Sequence, residues 1–225
     1  MEDITIVFYT LNKLPGWWQK YHREMLLDSA DGAPIISISK EPMDLGLNVI
    51  QKEKPSMSNI YWQILRGCKL AETPFVAIAE DDTLYPPSHF KFRPQRGAVA
   101  YNRNRWALFT WGKPYYFLKQ RSGNCVCVAD RQVMVDALEE RFDKFPDGLP
   151  TTMEVAGNIK ERQYGLVKRK HMKFWTTESV VNLNHIYSHN DVERRKKKKP
   201  KPIRAYDIPY WGRADKIRKI YDGEG

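Results

Sequence analysis

The stretch Pro74 to Tyr85, PFVAIAEDDTLY, constrains this chain more than any other. An unbroken apolar run, Phe75-Val76-Ala77-Ile78-Ala79, ends abruptly in three carboxylates, Glu80, Asp81 and Asp82. Apolar residues bounded by a proline and a charge cluster predict a strand buried on both faces, as in a parallel sheet. Carboxylates at its carboxyl end lie on the rim where open α/β sheets bind ligands. Three acidic groups so close repel one another, and a divalent cation relieves that repulsion. Mg²⁺ or Mn²⁺ takes oxygen ligands and shares them with substrate phosphates. The alternative is a strand running into a solvated acidic turn, so the context of the motif has to decide.

That context is regular upstream. Ile4 to Phe8 is a β-branched run and predicts a first strand, with Tyr9, Thr10, Leu11 and Asn12 as the loop after it. Pro15-Gly16 opens an amphipathic helix through Trp17, Trp18, Tyr21, Met25 and Leu26. Strands follow at Pro34 to Ser39 and at Leu47 to Ile50, the latter ending at Gln51-Lys52. Ser56 or Ser58 then caps a helix with the stripe Ile60, Ile64, Cys68 and Ala71. The order β-α-β-β-α-β predicts a mostly parallel sheet with right-handed crossovers. Neither a Gly-x-Gly-x-x-Gly turn nor a Gly-Lys-Ser/Thr loop is present, which argues against a dinucleotide fold and a P-loop NTPase. Thr10 and Asn12 could still bind a base or ribose by hydrogen bonds.

The second half is less regular. Ala98 to Tyr101 and Trp106 to Phe109 read as strands or hairpin arms, and Cys125 to Ala129 as a further strand. A helix is expected from Asp130 to about Phe142. Thr151 and Glu154 have the spacing of a capping box, and Phe174 to Leu183 reads as a last strand ending at Asn184-His185.

Taken together, these segments resemble a glycosyltransferase of the GT-A fold, nearest the inverting family-two type, over residues 3–190. The carriers are the opening strand with its Tyr9–Asn12 loop, the helix holding Asn59, the Glu80-Asp81-Asp82 element in place of Asp-x-Asp, and Ser122-Gly123-Asn124 in place of an acceptor-side glycine loop. Glu80 departs from the first Asp of that motif, and the second half leaves room for only a small acceptor-side subdomain. The resemblance implies an α/β fold with a mostly parallel central sheet flanked by helices. It also implies a nucleotide-sugar donor, with UDP the commonest nucleotide, and Mn²⁺ or Mg²⁺. Asp82 would be the principal metal ligand, with Asp81 and a late histidine, His185 before His189, beside it. Thr10, Asn12, Lys52, Asn59, Glu80 and Asp81 would bind the donor. Glu154 would be the base that deprotonates the acceptor, with Asp130 in reserve or as a helix cap. A nucleotidyltransferase or a non-catalytic binding module is the alternative of another class.

Charge bears on the acceptor. The 225 residues carry a net charge of +10, and residues 194–204, RRKKKKPKPIR, hold eight cations; outside them 29 basic residues face 27 acidic ones. Arg194, Arg195, Lys196, Lys197, Lys198, Lys199 and Lys201, with Trp211 beyond, suit phosphate neutralisation and base stacking on DNA. A solvated charge run or an anchor on an anionic membrane surface fits the same residues. A hydroxymethylated pyrimidine in DNA, as in bacteriophages, is the favoured acceptor; a surface glycan or lipid-linked acceptor is the runner-up. Residues 1–190 are expected to be the transferase domain and 191–225 a basic, aromatic-containing extension. No apolar stretch of membrane-spanning length and no basic, cleavable leader is seen, and Cys68, Cys125 and Cys127 form no metal-spaced set. A cytoplasmic location is the expectation, with no stable protein partner.

Overall fold

The computed structural model describes residues 1–148, 154–157, 160–186 and 203–224. Its first half follows the expected order: β1 (Ile4–Tyr9), α1 (Gly16–Ala30), β2 (Ile35–Ser39), β3 (Leu47–Ile50), α2 (Met57–Leu70) and β4 (Phe75–Glu80). The four strands lie side by side as β4-β1-β2-β3, all parallel. β1 is buried throughout, because each face meets its own helix. Val7 and Tyr9 pack with Tyr61, Ile64, Leu65 and Cys68 of α2, whereas Ile4, Ile6 and Phe8 pack with Leu26 and Ala30 of α1. Ser56 caps α2 by accepting the Asn59 N–H at 3.0 Å. Gly67 lets that helix approach closely: a Cβ there would stand 2.3 Å from Cγ1 of Val7.

The chain continues through β5 (Thr83–Leu84), α3 (Pro87–Lys91), β6 (Ala98–Asn102), β7 (Arg105–Phe109) and β8 (Tyr116–Leu118). A 3-10 turn at Asn124–Val126 precedes β9 (Cys127–Asp130), α4 (Arg131–Lys144), α5 (Lys160–Gln163), β10 (Lys170–Phe174) and β11 (Val180–Asn184). Last come β12 (Arg204–Ala205), β13 (Asp207–Ile208), β14 (Gly212–Arg213) and α6 (Ala214–Asp222). β6, β9 and β10 complete a seven-stranded sheet, β10-β6-β9-β4-β1-β2-β3, in which β9 alone runs against its neighbours. The fold is therefore mixed α/β with a mostly parallel central sheet flanked by helices, as the sequence predicts.

A second sheet has the order β12-β8-β7-β11-β5. It corrects two readings. Ala98–Tyr101 and Trp106–Phe109 are not arms of one hairpin, since β6 and β7 belong to different sheets. Phe174 to Leu183 is not one strand, since β10 ends in the large sheet and β11 begins in the small one. Glu80, Asp81 and Asp82 span the step from β4 in the large sheet to β5 in the small one. Asp130 proves to be a helix cap, its carboxylate accepting the Gln132 N–H at 3.0 Å.

The boundary expected at residue 190 does not separate two cores. Trp211, Ala214, Ile217 and Tyr221 pack with Leu14, Trp18, Leu84, Leu108, Tyr116 and Val181 in a third apolar cluster. Residues 203–224 thus close the small sheet against α1. Among the described residues no helix is long and apolar enough to cross a membrane.

Candidate functional site

The three carboxylates are held by three different sets of partners. The parallel register sets Tyr9 opposite Glu80, and the Tyr9 hydroxyl donates to Oε1 of Glu80 at 2.5 Å. Thr10 Oγ1 donates to Oδ2 of Asp81 at 2.5 Å, and Trp18 Nε1 donates to the Asp81 carbonyl at 2.9 Å. Asp82 leans toward the small sheet, where its Oδ1 accepts from Thr83 Oγ1 and from Asn182 Nδ2, each at 2.9 Å. Its Oδ2 lies 3.4 Å from Nε2 of His185, at the end of β11.

Electrostatics separates the three. Burial, followed by the charge of Asp82, pushes the Glu80 carboxyl up to about 7 against the Tyr9 hydrogen bond. The same two causes push Asp81 up to about 6. Burial is again the largest cause on Asp82, but the hydrogen bond and charge of His185, the Thr83 hydrogen bond and the charge of Arg105 together outweigh it and hold that carboxyl below its ordinary value. Near neutral pH, Asp82 is therefore the carboxylate most firmly ionised.

The carboxylates form one end of a cleft of about 230 Å³, lined also by Tyr9, Thr10, Lys13, Ser56, Asn59, Gln63, Asn124 and His185. Asn59 and Gln63, one helical turn apart on α2, are 3% and 2% exposed. Among the described residues, neither end of the Asn59 amide nor Oε1 of Gln63 has a hydrogen-bond partner. Buried amides in that condition cost about 1–3 kcal/mol each, so this wall of the cleft is electrostatically incomplete as it stands.

The structure brings together Thr10, Asn59, Glu80, Asp81, Asp82 and His185, all of which the sequence singled out. It separates others from them. Oδ1 of Asn12 accepts the N–H groups of Lys40 and Glu41 at 2.8 and 3.2 Å, so that carbonyl ties two loops together. Lys52 is exposed after β3 and does not line the cleft; Lys13 is the cation that does. Glu154 lies in an irregular segment between α4 and α5, outside the lining, and its carbonyl accepts from the Arg141 guanidinium at 2.5 Å. Thr151 of the expected capping box, His189 and the cations Arg194 to Lys201 lie outside the described residues. Trp211 is 7% exposed, and its Nε1 donates to the Ser179 carbonyl at 2.5 Å. Its ring fills the third cluster and has no open face for a base. The sequence reading passed over Gln63, although its i+4 spacing from Asn59 on an otherwise apolar helix face was a usable signal.

Among the described residues no three His, Cys, Asp or Glu side chains gather closely enough to hold a metal ion unaided. Asp82 and His185 do approach each other, and a carboxylate with an imidazole fits an ion that draws its other ligands from substrate oxygens.

No protein family and no curated protein sequence matches this chain. Solved structures with a similar chain path include a glycosyltransferase involved in glycosylation of the major capsid of PBCV-1, at 12% identity and a TM-score of 0.45, covering 86% of this chain and 97% of that one. The 1–349 portion of S. aureus TarS is similar at 8% identity and a TM-score of 0.45, over 80% of this chain and 60% of that one. A nucleotidyl transferase from Methanothermobacter thermautotroptrophicus is similar at 13% identity and a TM-score of 0.40, over 75% and 86% of the two chains. Likeness at this level carries no argument about activity.

Proposed function

We propose that this chain is a GT-A-type glycosyltransferase that moves a sugar from a nucleotide-sugar, UDP-linked in the first instance, to a hydroxyl. One observation carries the reading: a single cleft joins the Asp82–His185 pair to the buried, unpartnered amides of Asn59 and Gln63. A nucleobase presents donors and acceptors along a planar edge, and its binding would satisfy both amides. The diphosphate would then extend toward the acidic end of β4. Asp82 and His185 would hold Mn²⁺ or Mg²⁺, which when bound screens the diphosphate and stabilises the leaving group. Thr10 and Trp18 fix Asp81 from its side chain and its carbonyl, and Asn182 and Thr83 fix Asp82. The proposed acceptor is a hydroxymethylated pyrimidine in DNA, whose phosphates suit the eight cations of residues 194–204.

The test is nucleoside-diphosphate release from UDP- and GDP-sugars with Mn²⁺, with plain or hydroxymethylated DNA, for wild type and Asp82→Asn. Release that falls about a hundredfold or more in Asp82→Asn supports the transferase. A further rise with modified DNA supports the acceptor, and indifference to DNA removes it. Pyrophosphate release would replace sugar transfer with nucleotidyl transfer, and no release from any donor would overturn the catalytic reading.

A further inference from the structure

We infer that Arg105 and Lys119 form an oxyanion site beside Asp82, built to take a phosphate or carboxylate group. The two residues face each other across β7 and β8. Trp106 pairs with Leu118, and one step further the Lys119 N–H donates to the Arg105 carbonyl at 2.8 Å. Opposed residues of an antiparallel pair share a face, and both side chains converge on the same acceptor. Oδ1 of Asn182 takes Nη2 of Arg105 at 3.0 Å and Nζ of Lys119 at 3.3 Å.

One neutral amide oxygen is a poor counterpart for two cations. Arg105 is 5% exposed, and its Nε has no hydrogen-bond partner among the described residues. Among the described residues neither Arg105 nor Lys119 makes an ion pair. The nearby carboxylates act on the pair only through space, the charge of Arg105 lowering both Glu80 and Asp82, while their oxygens are bonded elsewhere: Asp82 with Thr83, Asn182 and His185, and Glu80 with Tyr9. Burial, then the charges of Arg105 and Arg121, push the Lys119 ammonium well below the usual lysine range. Buried charges are ordinarily paired. The guanidinium fork offers parallel donors that fit the oxygens of a phosphate or carboxylate.

The pair lies beside the cleft, next to the lining residues Asp82 and Asn124. Lys119 as a whole is half-buried, whereas Arg105 is buried. The loop Ser122–Asn124 lies directly on the guanidinium: a Cβ at Gly123 would stand 2.7 Å from Nη1 of Arg105. Asn124, next in the chain, lines the cleft, and Asn182 joins the cations to Asp82 through its other amide atom. Two substrate groups have the required chemistry: the diphosphate of a donor, or an anionic group on the acceptor such as a DNA phosphodiester. Assigning the source rests on the transferase reading, but the site itself does not.

Inorganic phosphate is the probe. Calorimetric titration into the full chain, in EDTA and at constant ionic strength with chloride, would compare wild type, Lys119→Gln and Lys119→Arg. Lys119→Gln removes a repelling buried charge, so it should fold, which its circular dichroism and melting temperature check. The expected result is phosphate binding that weakens about tenfold or more in Lys119→Gln and persists in Lys119→Arg. No phosphate binding by wild type, or equal binding by wild type and a folded Lys119→Gln, would overturn the site. Repeating the titration with saturating UDP, and with Mg²⁺ in place of EDTA, separates the sources: competition assigns the site to the donor diphosphate, and simultaneous binding assigns it to the acceptor. A chain that binds phosphate but no nucleotide would keep the site while removing the transferase reading.

Discussion

Glu80 shows how far a carboxyl at the end of a buried strand departs from ordinary behaviour. Its carboxyl lies at about 7 in the folded chain, against an ordinary 4.5, through burial and the charge of Asp82. An acid whose folded value is raised contributes stability that is complete below its unfolded value and is lost as pH rises through the folded one. In EDTA, the unfolding free energy should therefore fall between about pH 4.5 and 8, by about 3 kcal/mol at most from this residue. Thermal or urea denaturation of wild type and Glu80→Gln across that range checks it; the variant should lose the slope between about pH 6 and 8, above the value of about 6 for Asp81, and be the more stable of the two at pH 8. Trp211 belongs to the same scale. The sequence offered its ring to a nucleic acid, but a buried tryptophan is a packing residue, and Trp211→Ala should lower stability by about 3–5 kcal/mol in urea denaturation.

At the scale of the element, α2 carries both packing and ligand chemistry. Its apolar stripe and its Ser56 cap were legible, because period and cap residue are local properties. The close approach of Gly67 to Val7 was not, because nothing local says which helix turn meets which strand. Gly67→Ala should lower stability by about 1–3 kcal/mol as the helix is pushed off β1, read from the urea midpoint at unchanged slope. Asn59 and Gln63 act in the opposite sense. Removing a buried amide without a partner relieves desolvation, so Gln63→Met should leave the ligand-free chain as stable as wild type or more so. The same variant should weaken nucleotide binding about tenfold, measured by calorimetry. A loss of stability with unchanged affinity would make Gln63 a packing residue.

For the whole molecule, the question is what residues 203–224 do. Net charge and the basic run made this end of the chain look like a tail, yet its aromatic and aliphatic side chains cover Trp18, Leu108 and Tyr116. A chain ending at residue 202 would expose that face. It should melt at a markedly lower temperature than the full chain, or precipitate; equal melting would return the segment to the status of an appendage. The Trp18 ring ties this packing to the site, since Trp18 meets Tyr221 at 5.3 Å between ring centroids and holds the Asp81 carbonyl.

The sequence made legible the four parallel strands, their two crossover helices, and the position of the carboxylates at the end of β4. Each follows from contiguous residues: apolar runs, helical periodicity, capping residues and turns. It also singled out Thr10, Asn59 and His185, which line one cleft with the carboxylates, through a resemblance whose elements keep their order along the chain. The rest depends on how the elements pack. The partition of β6, β7, β10 and β11 between two sheets depends on which strands pair, and short apolar runs do not encode their partners. The burial of Trp211, the spent carbonyl of Asn12 and the meeting of Arg105 with Lys119 and Asn182 all join residues far apart in the chain. Such contacts exist only once the sheets have packed, and they separate a side chain free to meet a ligand from one already used by the fold.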